Sequence, residues 1–175
     1  IMAQVKFDFP AFKTHVLGLV VEASKDAAYE IRDEIKQSMV DSPEWPEKTY
    51  YRHGRKHHPS APGNPPRVDY GVLHDSISVN WTGSGLSNGV VGNRAKASDG
   101  VLQPSREGEV VIGTNVKSKD KKGTPLWILL EGGTNRMKAR PFIMAPLQKY
   151  RNIIKKHIKR MSTKKFLVGL AKGIK

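Results

Sequence analysis

Between Phe12 and Met39 the apolar residues fall at steps of three or four: Phe12, Val16, Leu19, Ala23, Ala27, Ile31, Ile35 and Met39. That is the period of an α-helix with one buried face. Lys13, Lys25, Asp26, Asp33 and Lys36 fill the polar side. Asp8 stands where an N-cap is wanted. Pro10 suits a first turn, because the amide hydrogen it lacks has no helical partner there. Asp41-Ser42-Pro43 and Trp45-Pro46 end the run. A helix over about 10–40 is about 45 Å long at 1.5 Å per residue. That exceeds what a small domain covers alone, so one end is expected to pack on a neighbouring element or a neighbouring subunit.

The remaining segments are shorter. Residues 41–68 hold Gly54, Pro59, Pro62, Gly63 and Pro65-Pro66, and read as an extended loop too long for a mere connection. Asp69 to Ile77 reads as a turn or a helical turn. Ile77, Val79 and Trp81 then alternate as one face of a strand, ended by Gly83-Ser84-Gly85. Asn88-Gly89 is a hairpin signal with a second strand beginning at Val90-Val91. Residues 93–108 read as a loop. Residues 109–114 read as a third strand, with Val110 and Ile112 facing one way and Val111 the other. Lys117 to Gly123 is a basic loop. Leu126-Trp127-Ile128-Leu129-Leu130 fits a buried strand or a short helix, and periodicity does not decide between them.

Gly132-Gly133 closes that run, and Ala139 to Phe142 is expected to be extended. Pro146 is expected to open a last helix over 146–161, with Leu147, Tyr150, Ile154, Ile158 and Met161 as its apolar stripe. Phe166, Leu167, Leu170 and Ile174 form a second stripe in an amphipathic basic arm over 162–175. The expected architecture is one α+β domain over 1–161. In it, a long N-terminal helix and a basic C-terminal helix pack with a small, mainly antiparallel sheet.

Charge narrows the function classes. The 175 residues hold 30 Lys+Arg against 16 Asp+Glu, a net +14. Glu131 is the last acid, and thirteen bases follow it; the residues up to Glu131 hold seventeen bases and sixteen acids. The excess thus sits in the C-terminal quarter and points to a polyanionic or acidic partner. The candidate contacts there are Lys155, Lys156, Lys159, Arg160, Lys164 and Lys165. A smaller basic cluster adds Arg52, Arg55 and Lys56. Five of the sixteen acids lie on the first helix, and these read as solvated charge.

Catalytic constellations are missing. Cysteine is absent, which removes disulfides, thiolate metal sites and cysteine nucleophiles. His53, His57 and His58 lie among glycine and prolines rather than on a helix, so no metal and no cofactor is expected. His74, Asp75 and Ser76 have the residue types of a hydrolase triad. Adjacent positions on one short segment cannot place nucleophile, base and orienting group around a substrate. No phosphate-cradling glycine loop occurs, and no enzyme activity is expected. No run reaches the ~20 apolar residues of a membrane span, and no secretory leader is expected.

Three ordered segments carry a family resemblance. The first is Pro65-Pro66 followed by Asp69-Tyr70-Gly71-Val72-Leu73 and Ser76-Ile77. The second is Val111-Ile112-Gly113-Thr114-Asn115. The third is Leu130-Glu131-Gly132-Gly133-Thr134, followed by Ala139-Arg140-Pro141-Phe142-Ile143 and Pro146-Leu147. Together they resemble the head–tail joining, neck or tail-completion proteins of tailed bacteriophages. Tyr70 departs from the threonine usual in that family, and residues 116–125 replace a shorter link. The resemblance implies a structural virion protein, made in the host cytoplasm, that forms a ring, expected to be a hexamer, around the DNA channel. The implied neighbours are other copies of the chain, the portal, adaptor or head-closure side of the neck, and the tail-tube or tail-terminator protein. Genomic DNA in the channel is a further implied contact. The alternative is a non-specific nucleic-acid-binding protein that uses its basic C-terminal arm.

The motif residues also read physically as fold determinants. Gly71 and Gly113 suit tight backbone geometry at element ends. Arg140 is expected to reach Glu131, the sole acid near it in sequence. Phe142 and Leu147 are expected to seat the last helix on the sheet.

Overall fold

The computed structural model describes residues 8–52, 54–82, 103–106, 108–114, 116–118, 123–160 and 168. Helix α1 runs Phe9–Val40, set by local chemistry at both ends. The Asp8 carboxylate accepts a hydrogen bond from the Ala11 N–H at 3.0 Å, and Pro10 sits in the first turn. At the other end the Asp41 N–H donates to the Gln37 carbonyl at 2.9 Å, and Pro43 follows.

The burial of α1 is lopsided. Ala23, Ala27, Ala28, Ile31, Ile35 and Met39 are buried. No residue from Phe9 to Glu22 is buried, and Phe9 and Leu17 are 62% and 53% exposed. The three alanines let other elements approach the helix closely. The larger Ile31, Ile35 and Met39 fill the core with Ile77, Leu130, Phe142, Ile143 and Ile153.

The chain is an α+β fold with α1 as its spine. Strand β1 (Tyr50–Arg52) pairs antiparallel with β2 (Arg55–His57). Residues 41–68 are therefore not loop throughout. Gly54, at φ +76, lets the chain reverse where a side chain would be strained. Short helix α2 (Val72–Ser76) follows, then β3 (Ser78–Trp81), which pairs antiparallel with β4 (Val110–Gly113). The register sets Val79 opposite Ile112 and Trp81 opposite Val110. Ser78, Val79 and Asn80 are all buried, so β3 is covered on both faces and not on one as its alternation suggests. Trp81 meets Tyr29 of α1 edge-on at 6.0 Å, with the Lys25 ammonium 4.8 Å from its ring centre. The expected turn at Asn88-Gly89 and the strand from Val90-Val91 lie outside the described residues.

Helix α3 (Leu126–Gly132) resolves the apolar run as a helix. Only Leu130 of it is buried, while Ile128 is exposed. One-sided burial of this kind suits a helical turn on the surface of the core, not an interior strand. The C-terminal helix is two pieces, α4 (Met144–Gln148) and α5 (Tyr150–Arg160). It starts two residues before Pro146, which lies within the first turn. The break falls at Lys149, whose N–H is taken by the Pro146 and Leu147 carbonyls.

These helices seat chiefly on α1, while Phe142 and Leu147 share one apolar cluster with Ile77 and with Ile112 of β4. The apolar contact runs through Ile153, with Leu147, Tyr150 and Ile154 beside it, while Ile158 is 44% exposed. Met161 lies outside the described residues. Polar clamps flank the contact. Lys149 pairs with Glu34; Lys156 and His157 reach the two carboxylate oxygens of Glu30 at 2.8 and 2.9 Å. Those acids are partners of the C-terminal helix, not merely solvated charge.

Candidate functional site

The motif residues converge on a few tie points inside the fold. Ser42 Oγ donates to the Pro65 carbonyl at 2.5 Å, and Pro66 is buried. Asp69 lies 3.3 Å from His57 and so fastens the base of the β1–β2 hairpin. Gly71, at φ +78, turns the chain into α2, and its carbonyl accepts the Asp75 N–H at 2.7 Å. Leu73 packs against the core, and Ile77 is fully buried.

Ser76 and Thr114 join the first two segments. Ser76 Oγ donates to the Leu73 carbonyl at 2.7 Å and lies 2.7 Å from Thr114 Oγ1. A hydroxyl has one proton. With the Ser76 proton on Leu73, Thr114 is the donor to Ser76 Oγ. Thr114 Oγ1 in turn accepts the Val116 N–H at 3.1 Å. Both side chains are fully buried, and this chain satisfies them. Gly113, at φ +147, sits at the end of β4 beside this pair. Asn115 lies outside the described residues.

The third segment is tied differently from the expectation. Arg140 does not pair with Glu131. Its guanidinium donates to the Ser60 carbonyl at 3.0 Å and to Ser60 Oγ at 3.1 Å, and its N–H donates to the Leu130 carbonyl at 2.6 Å. Glu131 Oε1 instead accepts the backbone N–H groups of Phe142 and Ile143, at 2.8 and 2.6 Å. These amides have no helical partner at the start of α4, so they compete for the carboxylate and win it. Gly133, at φ +72, has no room for a side chain: a Cβ there would lie 2.8 Å from both Ala139 N and Met137 O. Thr134 Oγ1 accepts the Met137 N–H at 3.1 Å, and the Ala139 carbonyl accepts the Gly63 N–H at 2.9 Å. Pro141 leads into fully buried Phe142, and Pro146 is buried too. Most of the described motif residues are thus buried or half-buried scaffold, with Thr134 exposed.

The chemistry-bearing residues are engaged structurally. His57 faces Asp69, and His58 Nδ1 is 3.3 Å from Thr49 Oγ1; His53 lies outside the described residues. Among the described residues no three of His, Cys, Asp or Glu group as a metal set. His74 Nδ1 is 2.9 Å from Asp75, while the Ser76 hydroxyl is buried and committed to Leu73 and Thr114. No described helix is long and apolar enough to cross a membrane.

Exposed bases gather on the β1–β2 hairpin and on α5. Arg55 and Lys56 of β2 are exposed, beside Tyr51 at 73% exposure. Arg52 stands opposite Arg55 in the hairpin register. On α5, Lys155, Lys159 and Arg160 are exposed, whereas Lys156 is held by Glu30. Lys156, then His157, holds the Glu30 carboxyl below its ordinary range by hydrogen bonding. Lys164 and Lys165 lie outside the described residues. Sequence reading missed Ser60 and the Glu30 and Glu34 clamps, since nothing local marks a partner 80 or more residues away. A signal for the hairpin was present in Tyr50-Tyr51-Arg52-His53-Gly54-Arg55-Lys56-His57, where one glycine divides two strand-compatible triplets. Set against known protein families, curated proteins and solved structures, the chain gives no match.

Proposed function

We propose that this chain is a structural subunit of the neck of a tailed bacteriophage, one member of a ring around the DNA channel, with no reaction of its own. The ordered motif segments support the reading by resemblance. The observation that carries it is the overhang of α1. At about 100° per residue, Phe9, Leu17 and Val20 fall in the same arc as Ala27, Ile31 and Ile35. The second group is buried by the chain's own core; the first is exposed. Exposed apolar side chains therefore occupy this arc from Phe9 to Val20, about 17 Å at 1.5 Å per residue, with exposed Lys13 on the same arc and Phe12, Val16, Leu19 and Val21 beside it half-buried. A neighbouring copy covering that overhang by a head-to-tail contact, repeated with a rotation that closes, builds a ring. Portal-side and tail-side proteins would then stack on its two rims, placing the protein in the virion.

The test is a phage particle assembled with Leu17→Glu/Val20→Glu protein. The variant is expected to fold and to fail to incorporate. Incorporation at the wild-type level, or absence of the protein from wild-type particles, overturns the reading. A free-standing nucleic-acid-binding protein is the second reading, favoured by the exposed bases of α5. It predicts salt-dependent duplex binding by a chain that never assembles.

A further inference from the structure

The β1–β2 hairpin is charged in a way the fold does not use. From Lys48 to Val68 the chain holds five Lys+Arg and no acid. Arg67 is paired with Glu44 at 3.0 Å, and Lys48 lies over the Trp45 ring at 5.7 Å. Arg55 and Lys56 are exposed, with no ion pair to another described residue. The register places them on opposite faces: Lys56 is opposite Tyr51, and Arg55 is opposite Arg52, one step along. Tyr51 is 73% exposed and Tyr50 41%, so each face carries an exposed tyrosine as well as a cation. A Cβ on Gly54 in the turn would meet nothing within 4 Å. The base is fixed: His57 holds Asp69, and Tyr50 stacks edge-on against His57 at 4.7 Å.

We propose that this hairpin is a duplex-DNA contact that enters the major groove as a two-stranded ribbon, with phosphates met on both walls. An acidic protein surface offers negative charge on one side of a projection. A groove offers it on two, and here the cations lie on two. The dimensions agree. Entering tip-first, three residues per strand project about 10 Å at about 3.3 Å each, close to the depth of about 8.5 Å of a major groove that admits a β-ribbon. The contact deepens the ring reading by naming the surface that meets DNA, and it rests on that reading only for where in a particle DNA is met.

The experiment is fluorescence anisotropy of a labelled 24-bp DNA duplex with the purified full-length chain over a salt series. The slope of log affinity against log salt falls by about 0.9 for each phosphate that a side chain ceases to neutralise. Arg55→Ser/Lys56→Ser is expected to lower the slope by about 1.8 and the affinity by about 60-fold at 0.1 M salt. Its unfolding midpoint should stay unchanged, because both side chains are exposed. Arg136→Ser/Lys138→Ser removes equal charge from another exposed turn and is expected to stay within about threefold, as a local contact requires. Polyglutamate at matched charge, and duplex RNA with its narrow major groove, are expected to compete weakly. Any of four results overturns the proposal: a hairpin variant within threefold of wild type, an equal loss in the Arg136/Lys138 variant, an equal or larger loss in Lys155→Ser/Lys159→Ser, or polyglutamate competing as well as DNA. None of these touches the ring reading, which is decided in particles.

Discussion

Removing the Glu131 carboxylate should loosen the whole C-terminal third of the domain. One oxygen of this side chain accepts the N–H groups of Phe142 and Ile143 at 2.8 and 2.6 Å. A third contact, from Met144, is 3.4 Å long and adds little. Phe142 and Ile143 are 1% and 6% exposed, so water cannot readily replace the missing acceptor. Hydrogen bonds to a charged group contribute about 1.5–3 kcal/mol each. Glu131 is itself only half-buried, which argues for the lower end, and two such bonds come to about 3 kcal/mol. That is a large share of the ~5–15 kcal/mol that holds a domain folded. With a urea dependence of about 2 kcal/mol per molar, Glu131→Ala should lower the unfolding midpoint by about 1.5 M. Glu131→Gln keeps an oxygen acceptor without the charge and should lose about half as much. The assay is equilibrium urea unfolding at pH 7, followed by tryptophan fluorescence and circular dichroism with a common slope. A shift below about 0.3 M for the alanine variant, or equal shifts for alanine and glutamine, refutes the idea that a charged carboxylate anchors the start of α4.

Three further outcomes are expected. Gly133→Ala should cost more than about 3 kcal/mol, combining a left-handed backbone with backbone atoms 2.8 Å from the new Cβ; soluble yield and thermal midpoint report it. Ser76→Ala and Thr114→Val should each cost about 1–2 kcal/mol, with the double variant costing clearly less than the sum, because the 2.7 Å hydroxyl pair can be broken only once; additive losses in a urea double-mutant cycle contradict the pairing. Glu30 is held below its ordinary 4.5 by Lys156 and then His157. A lowered carboxylate gives stability that is present above that ordinary value and lost as pH falls through the folded one. The stability gap between wild type and Glu30→Gln should therefore shrink as pH is lowered below about 4.5; a gap constant from pH 7 to pH 3 shows that the clamp contributes nothing.

Local features were readable in proportion to how local their causes are. The extent of α1 follows from the spacing Phe12 to Met39 and from the Asp8 cap, both of which act within one helical turn. Strands β3 and β4 follow from alternation at Val79, Trp81, Val110 and Ile112. The run at Leu126 stays ambiguous in sequence because five apolar residues fit either period; in the fold Leu130 joins the shared core while Ile128 stays exposed, the one-sided burial of a surface helix. The pairing of Arg140 with Glu131 was a reasonable inference from proximity in sequence. It failed because each group found a better partner through space, Ser60 in one case and unsatisfied backbone amides in the other.

The order of residues by itself determined that a long one-sided helix forms, that the positive charge gathers after Glu131, and that no thiol chemistry is available, since each of these depends only on neighbours along the chain. Tertiary structure alone decided that the C-terminal helices lie on α1 and spend some of their lysines on Glu30 and Glu34. It also decided that the stripe of α1 is fully buried from Ala23 onward, while Phe12, Val16 and Leu19 before it are only half-buried. The physical reason is that burial and ion pairing are set by distance in space, which the folded chain fixes and the linear one does not.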